Sequence, residues 1–336
     1  MALDGKLLVR AKNGLAEKRK QNEARMENRL HEVYARAPFI RDIDSEIRAT
    51  MSEIVGVALG EKGAAQTGEI RQKNLKLQDQ RRNEMQRAGF KADYLDHEYM
   101  CAKCRDTGYI GSDICQCLRK LYKEEQKDSL SNLFKLGNEA FDNFDLSYYD
   151  DPSAPDTGIS PRRSMEIVYE TCIEYARKFN RKSMNLFFVG APGLGKTFLS
   201  ACIARVVAEK GYSVVYNMAT AIFAEFEVIK FMRTHDSEES RIEVKRAREE
   251  VKRYLECDLL IVDDLGTEMT TAFTVEALYE LVNTRLITQK KTLVNSNLTL
   301  DELHRRYSGQ IASRLEGEYQ MLRFFGDDIR KKKNTL

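Results

Sequence analysis

Residues 190–197 read Gly190-Ala191-Pro192-Gly193-Leu194-Gly195-Lys196-Thr197, a complete G-x-x-x-x-G-K-T phosphate-binding loop. Such a stretch cradles a nucleoside triphosphate with Mg2+. Its glycines let backbone N–H groups curl around phosphate oxygens, and a following helix offers the partial positive charge of its N-terminus. Lys196 is placed to reach the β- and γ-phosphates, and the Thr197 hydroxyl to ligate Mg2+. Further along, Asp258-Leu-Leu-Ile-Val-Asp263-Asp264 is an apolar run ending in two carboxylates. A strand of this kind beside a phosphate loop holds the metal through its first acid, here Asp263, and orients or deprotonates the attacking water through the second, Asp264. Many enzymes of this broad class carry Glu at the second place, so the shorter Asp264 leaves the hydrolysis rate open. The run Lys291–Asn297 ends in Ser296 and Asn297. An amide there can touch the γ-phosphate or the water; the same residues also suit the cap of a helix over 301–307.

Cys101-x2-Cys104 and Cys115-x-Cys117 form a second constellation. Four thiolates in one short loop suit a closed tetrahedral Zn2+ site, and Gly108 and Gly111 between the pairs permit the turns. The C-x-C pair is tight, so His97 is an alternative fourth ligand, and an iron–sulfur cluster is the alternative occupant. Cys172, Cys202 and Cys257 stand in apolar contexts typical of buried thiols.

The elements that must position these residues follow from periodicity. Leu186-Phe187-Phe188-Val189 reads as a buried strand, and Phe198–Val207 has helical spacing of apolar residues, so the glycine loop joins strand to helix. Strands over 185–189, 213–217, 259–263 and 292–295 alternate with helices, the pattern of an α/β fold with a parallel sheet flanked by helices. Residues 1–145 read as a mostly helical N-terminal domain carrying the cysteines. Leu30, Val33, Tyr34 and Ala37 make one apolar stripe before Pro38, and Ile40, Ile43, Ile47, Met51, Ile54, Val55 and Ala58 make another. Gln66–Asn83 is either an exposed helix or a connector. The region is a small bundle, a partner-docking module, or both. Pro152, Pro155 and Pro161 mark 146–162 as a linker, leaving 163–336 as the nucleotide-binding domain.

The chain has 336 residues, room for two domains, with 32% charged and 42% apolar residues. A net charge of +2 leaves any nucleic-acid contact to local patches. Met1–Arg10 lacks the apolar core of a signal peptide and no stretch approaches a membrane span, so a cytoplasmic protein without a membrane partner is expected.

Together these residues resemble the DnaC/DnaI-type helicase loaders among the AAA+ ATPases, a group related to the IstB-type transposition helpers. The resemblance rests on Gly190–Thr197, on Leu259–Gly266 with Thr267-Glu268, on Ser296-Asn297, on Ile311-Ala-Ser-Arg314-Leu, on Phe325-Gly-Asp-Asp-Ile-Arg330 and on Phe141–Tyr149. It runs from about residue 100 to the C-terminus. It implies a P-loop AAA+ fold, ATP hydrolysis, Asn297 as sensor 1, Arg314 as an arginine finger acting on a neighbouring subunit, and Arg330 as a phosphate contact within its own subunit. It further implies that the cysteine-bearing region binds a hexameric replicative helicase, that the ATPase domain binds ATP and single-stranded DNA, and that ATP or helicase binding orders an oligomer. Transposition helpers usually lack so long a cysteine-bearing extension, which favours loading over the alternative, an IstB-like regulator of transposition. A binding switch with slow hydrolysis is a third reading. In this group the segment 216–254 touches single-stranded DNA. Here Lys230, Arg233, Arg241, Lys245, Arg246, Arg248, Lys252 and Arg253 offer cations and Phe223, Phe226 and Phe231 stacking faces, although interleaved glutamates equally suit a solvated helix.

Overall fold

Pro38 stops one helix and Phe39 starts the next, as its missing N–H and fixed φ require. In the computed structural model, which describes residues 4–58, 66–91, 93–134, 139–150, 160–232 and 237–333, α1 (Gly5–Arg36) and α2 (Phe39–Ala58) lie on either side of that break. The charged stretch after it is a helix, α3 (Gln66–Arg87). Chain contacts divide the molecule into two units, Lys12–Leu118 and a second made of Met1–Ala11 with Arg119–Leu336.

Within Lys12–Leu118, Val33, Ile40, Met85 and Phe90 form a small core. Asn74 donates to the Thr50 hydroxyl at 2.6 Å, a buried polar pair that sets the register of α2 against α3. Two short antiparallel strands, β1 (Tyr109–Ile110) and β2 (Asp113–Ile114), form a hairpin between the cysteine pairs.

α4 (Gln116–Phe134) runs into the second unit. Its Gln126 side chain donates to Tyr212 O at 2.8 Å, and Leu130 joins the main core there. The contact division at Leu118/Arg119 therefore falls ahead of the domain end expected at 145. Of the expected linker, 151–159 lie outside the described residues; Tyr149, just before them, is 1% exposed within the main core.

α5 (Pro161–Lys178) starts with Pro161 at its first turn, and the Ser160 side chain accepts from Arg163 N. Then follow β3 (Asn185–Val189), α6 (Lys196–Glu209), β4 (Val214–Met218), α7 (Ala219–Phe231), α8 (Glu238–Glu256), β5 (Leu259–Leu265), α9 (Ala272–Ile287), β6 (Lys291–Ser296), α10 (Leu300–Arg306), α11 (Gly309–Gly317), β7 (Tyr319–Arg323) and α12 (Ile329–Lys333). The five strands β3–β7 pair in parallel in the order β4-β5-β6-β3-β7. The four expected strands are present; β7, pairing with β3 on its outer side, is an addition to the sequence reading. The sheet has a core on each face because strand side chains alternate. Leu186 and Phe188 pack with Met165, Cys172, Leu199 and Ile203 of α5 and α6. Phe187 packs with Phe223, Tyr254, Leu281 and Ile311 of α7, α8, α9 and α11.

Candidate functional site

Parallel α/β sheets open their ligand crevice at the carboxyl ends of the strands. Here β6 lies between β3 and β5, so the loop after β3, the carboxylates closing β5 and the amide after β6 converge on one cleft. Its volume is about 470 Å3, and Lys196, Thr197, Asp263, Asp264, Asn297 and Arg330 line it together with Phe144 and Tyr148.

The loop bends as its glycines allow. Gly195 has φ +88° and Gly193 φ +79°, left-handed values that strain any other residue; a Cβ on Gly193 would lie 1.8 Å from an Asp328 carboxylate oxygen and would have to displace that side chain. Lys196 opens α6, and its Nζ donates to Gly190 O at 2.6 Å, Ala191 O at 2.8 Å and Asn297 Oδ1 at 2.6 Å. Burial draws the Lys196 pKa down to about 8, against the upward pull of Asp264 and Asp263, with Arg330 adding to the lowering. The proton belongs to the form that grips phosphate, so a triphosphate favours proton uptake. Nucleotide affinity is therefore expected to be flat below about pH 8 and to fall above it, by up to about tenfold per unit of pH, in fluorescence titrations. A flat profile to pH 9.5 would show that burial does not lower the Lys196 pKa in this cleft.

Asp263 is 2% exposed. Its Oδ2 accepts from the Thr197 hydroxyl at 2.9 Å and from the Tyr216 hydroxyl at 2.7 Å. Its Oδ1 accepts from Asn295 Nδ2 at 2.7 Å and from Asp264 N at 3.0 Å. Ser200 Oγ in turn donates to Asn295 Oδ1 at 3.0 Å. The pairing of β5 with β6 shifts register between Val262 and Leu265, and Asp264 takes a left-handed φ of +53°. Such an irregularity re-aims side chains at a strand end. Burial, then the neighbouring Asp263, raises the Asp264 pKa. Asn297 spans the two halves, donating to Asp264 Oδ1 at 3.4 Å while accepting from Lys196.

The alternative of Ser296 and Asn297 as a helix cap is corrected by the structure. Thr299 caps α10 in a reciprocal capping box with Glu302, and the buried Ser296 hydroxyl donates to Leu265 O at 2.7 Å. Glu268 points away from the cleft, accepting from Gly266 N at 2.9 Å and from the Tyr307 hydroxyl. Arg330 joins the cleft from the start of α12. Arg314 does not: from α11 it donates to Gln310 O at 3.1 Å and to the Tyr279 hydroxyl at 3.2 Å, with its guanidinium 4.8 Å from the Tyr279 ring centre. Tyr216 and Asn295 escaped the sequence reading. Asn295 carries a signal, a polar side chain inside an apolar strand; Tyr216 carries none, because only the pairing of β4 with β5 brings it to Asp263.

In the Lys12–Leu118 unit the sulfurs of Cys101, Cys104, Cys115 and Cys117 all lie within 4.8 Å of one another. Cys101 and Cys115 are 3.7 Å apart, Cys104 and Cys117 3.4 Å, and Gly108 N donates to the Cys104 sulfur at 3.4 Å. Asp106, 3% exposed and at φ +61°, accepts from Cys101 N at 2.8 Å and Met100 N at 3.1 Å, tying down the first knuckle. A convergent set of four thiols has the chemistry of a tetrahedral zinc site. His97 is corrected as the alternative ligand: it is exposed and stacks on Tyr99 with ring centres 4.4 Å apart, outside the thiol group.

The segment considered for DNA is also corrected in part. Phe223 and Phe226 are 3% and 7% exposed in the core, so they offer no stacking face, whereas Phe231 is 59% exposed. Lys230 pairs with Glu276, Arg246 with Glu225 at 2.8 Å and Arg253 with Asp4 and Glu250. Arg233 lies outside the described residues.

The profile of the IstB-like ATP binding protein family matches residues 173–335, the region that contains every residue of this cleft lying on the sheet. The chain is 26% identical over 201 residues to the replicative helicase loader DnaI of Bacillus subtilis, a match covering 58% of this chain and 56% of that protein. Residues 173–335 thus resemble the IstB-like ATP binding proteins, and the chain is similar in part to a DnaI-type loader. The chain is also 25% identical over 146 residues to the B. subtilis protein YqaM, covering 40% of this chain and 42% of that one. It thus spans about half the length of the curated relatives it matches. Among solved structures, the crystal structure of the DnaC helicase loader superimposes with a TM-score of 0.41 at 20% identity, covering 55% of this chain and 98% of the other. Among the described residues no helix is long and apolar enough to cross a membrane.

Proposed function

We propose that this chain is an ATP-dependent loader of a replicative DNA helicase. The observation that carries the reading is the cleft joining Lys196, Thr197, Asp263, Asp264 and Asn297 in a chain similar to the helicase loader DnaI. The Thr197 hydroxyl and the Asp263 carboxylate, 2.9 Å apart, are hard oxygen groups of the kind that would hold Mg2+, Thr197 directly and Asp263 through water. Bound there, Mg2+ supplies charge neutralisation at the β- and γ-phosphates. On triphosphate binding Lys196 exchanges its loop carbonyls for phosphate oxygens. Asp264 orients the attacking water, Asn297 contacts the γ-phosphate, and Arg330 contacts phosphate in the same subunit. Arg314, which sits outside its own cleft, serves a neighbouring copy. The four cysteines hold a structural Zn2+ in a unit that docks the helicase, and the ATPase domain holds single-stranded DNA. The family profile supports a second reading, an IstB-like ATP-dependent regulator of transposition.

Native mass spectrometry of the full chain with the replicative helicase of its source organism, ATP and Mg2+ separates the two. A defined complex, lost when Cys104 and Cys117 are changed to Ser, is expected of the loader. No complex, together with nucleotide-dependent filaments on DNA, transfers the assignment to the transposition regulator.

A further inference from the structure

The Asp263 carboxylate has about four acceptor positions, and the protein itself fills four. The donors are the Thr197 and Tyr216 hydroxyls on Oδ2 and the Asn295 amide and Asp264 N–H on Oδ1. An acid that holds a cation through a metal-bound water must accept a hydrogen bond from that water, so one donor has to leave. Three of them are poor candidates. The Asp264 N–H is backbone. Asn295 is 0% exposed and pinned by Ser200 Oγ at 3.0 Å. Thr197 can keep donating to Asp263 while a lone pair of the same oxygen faces the metal. Tyr216 is different. It reaches Asp263 from the neighbouring strand, is half-buried, lines the cleft, and presents its hydroxyl at 2.7 Å on the same Oδ2 that faces Thr197.

We propose that the Tyr216 hydroxyl is a placeholder for a metal-bound water: it donates to Asp263 Oδ2 and must release that oxygen before a metal-bound water can take its place. Tyr216 is thus a positioning residue that sets how much Mg2+ the site requires, an inference that rests on the ATP-and-Mg2+ reading of the cleft. The arrangement also keeps a nearly inaccessible carboxylate fully hydrogen-bonded when no cation is there, which a buried charge requires.

The test titrates Mg2+ into the full-length protein with a fluorescent ATP analogue, following bound nucleotide rather than turnover. Tyr216→Phe keeps the ring and its place against the core, so the fold is retained. It removes the donor that competes with the metal-bound water. A hydrogen bond to a charged group no longer has to be broken, so the half-saturating Mg2+ concentration is expected to fall by about tenfold. Nucleotide affinity in EDTA stays as in the parent protein. In an Asp263→Asn background the same substitution is expected to shift nothing, because the competition is for that carboxylate. A half-saturating Mg2+ concentration that is unchanged or raised in Tyr216→Phe, with nucleotide still bound, overturns the placeholder and leaves the ATP site standing. Failure of the parent protein to bind nucleotide, with or without Mg2+, overturns the ATP reading and this inference with it.

Discussion

Lys196→Ala is expected to weaken nucleotide binding by at least about 100-fold, the loss of two charge-assisted contacts at roughly 1.5–3 kcal/mol each. The expectation follows from where the ammonium sits. It is 6% exposed at the floor of the cleft, held by Gly190 O, Ala191 O and Asn297 Oδ1, so it is aimed before the ligand arrives. No other cation on α6 reaches the same place, since the next one, Arg205, pairs with Glu209 at 3.3 Å. Titration with a fluorescent ATP analogue measures the effect, and circular dichroism checks the fold. Affinity within threefold of the parent protein would remove this loop from triphosphate binding.

Replacing Cys104 and Cys117 together by Ser, or stripping metal with a chelator, is expected to take bound zinc from one per chain to none and to unfold the region around residues 97–118. Strands of two residues each cannot hold a hairpin by themselves. The thiol cluster must supply what the core there lacks, and structural zinc contributes roughly 10–16 kcal/mol of binding free energy to the folding of such small units. Metal content by mass spectrometry and limited proteolysis report the change, while nucleotide affinity stays as before because no cleft residue lies in Lys12–Leu118. Protease resistance unchanged after complete metal removal would show that the region holds itself together without the thiols' ligand.

Much of the candidate site was legible because its parts are local. The glycine loop announces itself through spacing, since only glycines tolerate φ values such as +79° and +88° beside a lysine that must open a helix. The carboxylates were readable as the polar end of an apolar strand, and the cysteines as two close pairs. Misreadings came where burial decides. Phe223 and Phe226 look like free aromatic faces beside cations, yet they sit on the stripe of α7 that packs against the sheet. His97 is close in sequence to the thiols, yet its exposed ring stacks on Tyr99 instead of joining them.

The sequence by itself determined the alternation of strands and helices, the phosphate-binding loop, the acids at the end of β5 and the grouping of four thiols, because each depends on residues a few positions apart. Tertiary structure alone decided the rest. Only strand order inserts β6 between β3 and β5 and so brings Asn297 within reach of both Lys196 and Asp264. Only the pairing of β4 with β5 sets Tyr216 on Asp263, and only β7 closes the outer side of β3. The order in which parallel strands pair is a choice among packings that bury similar apolar faces. It is fixed by contacts between segments far apart in the chain, and neither composition nor periodicity encodes those contacts.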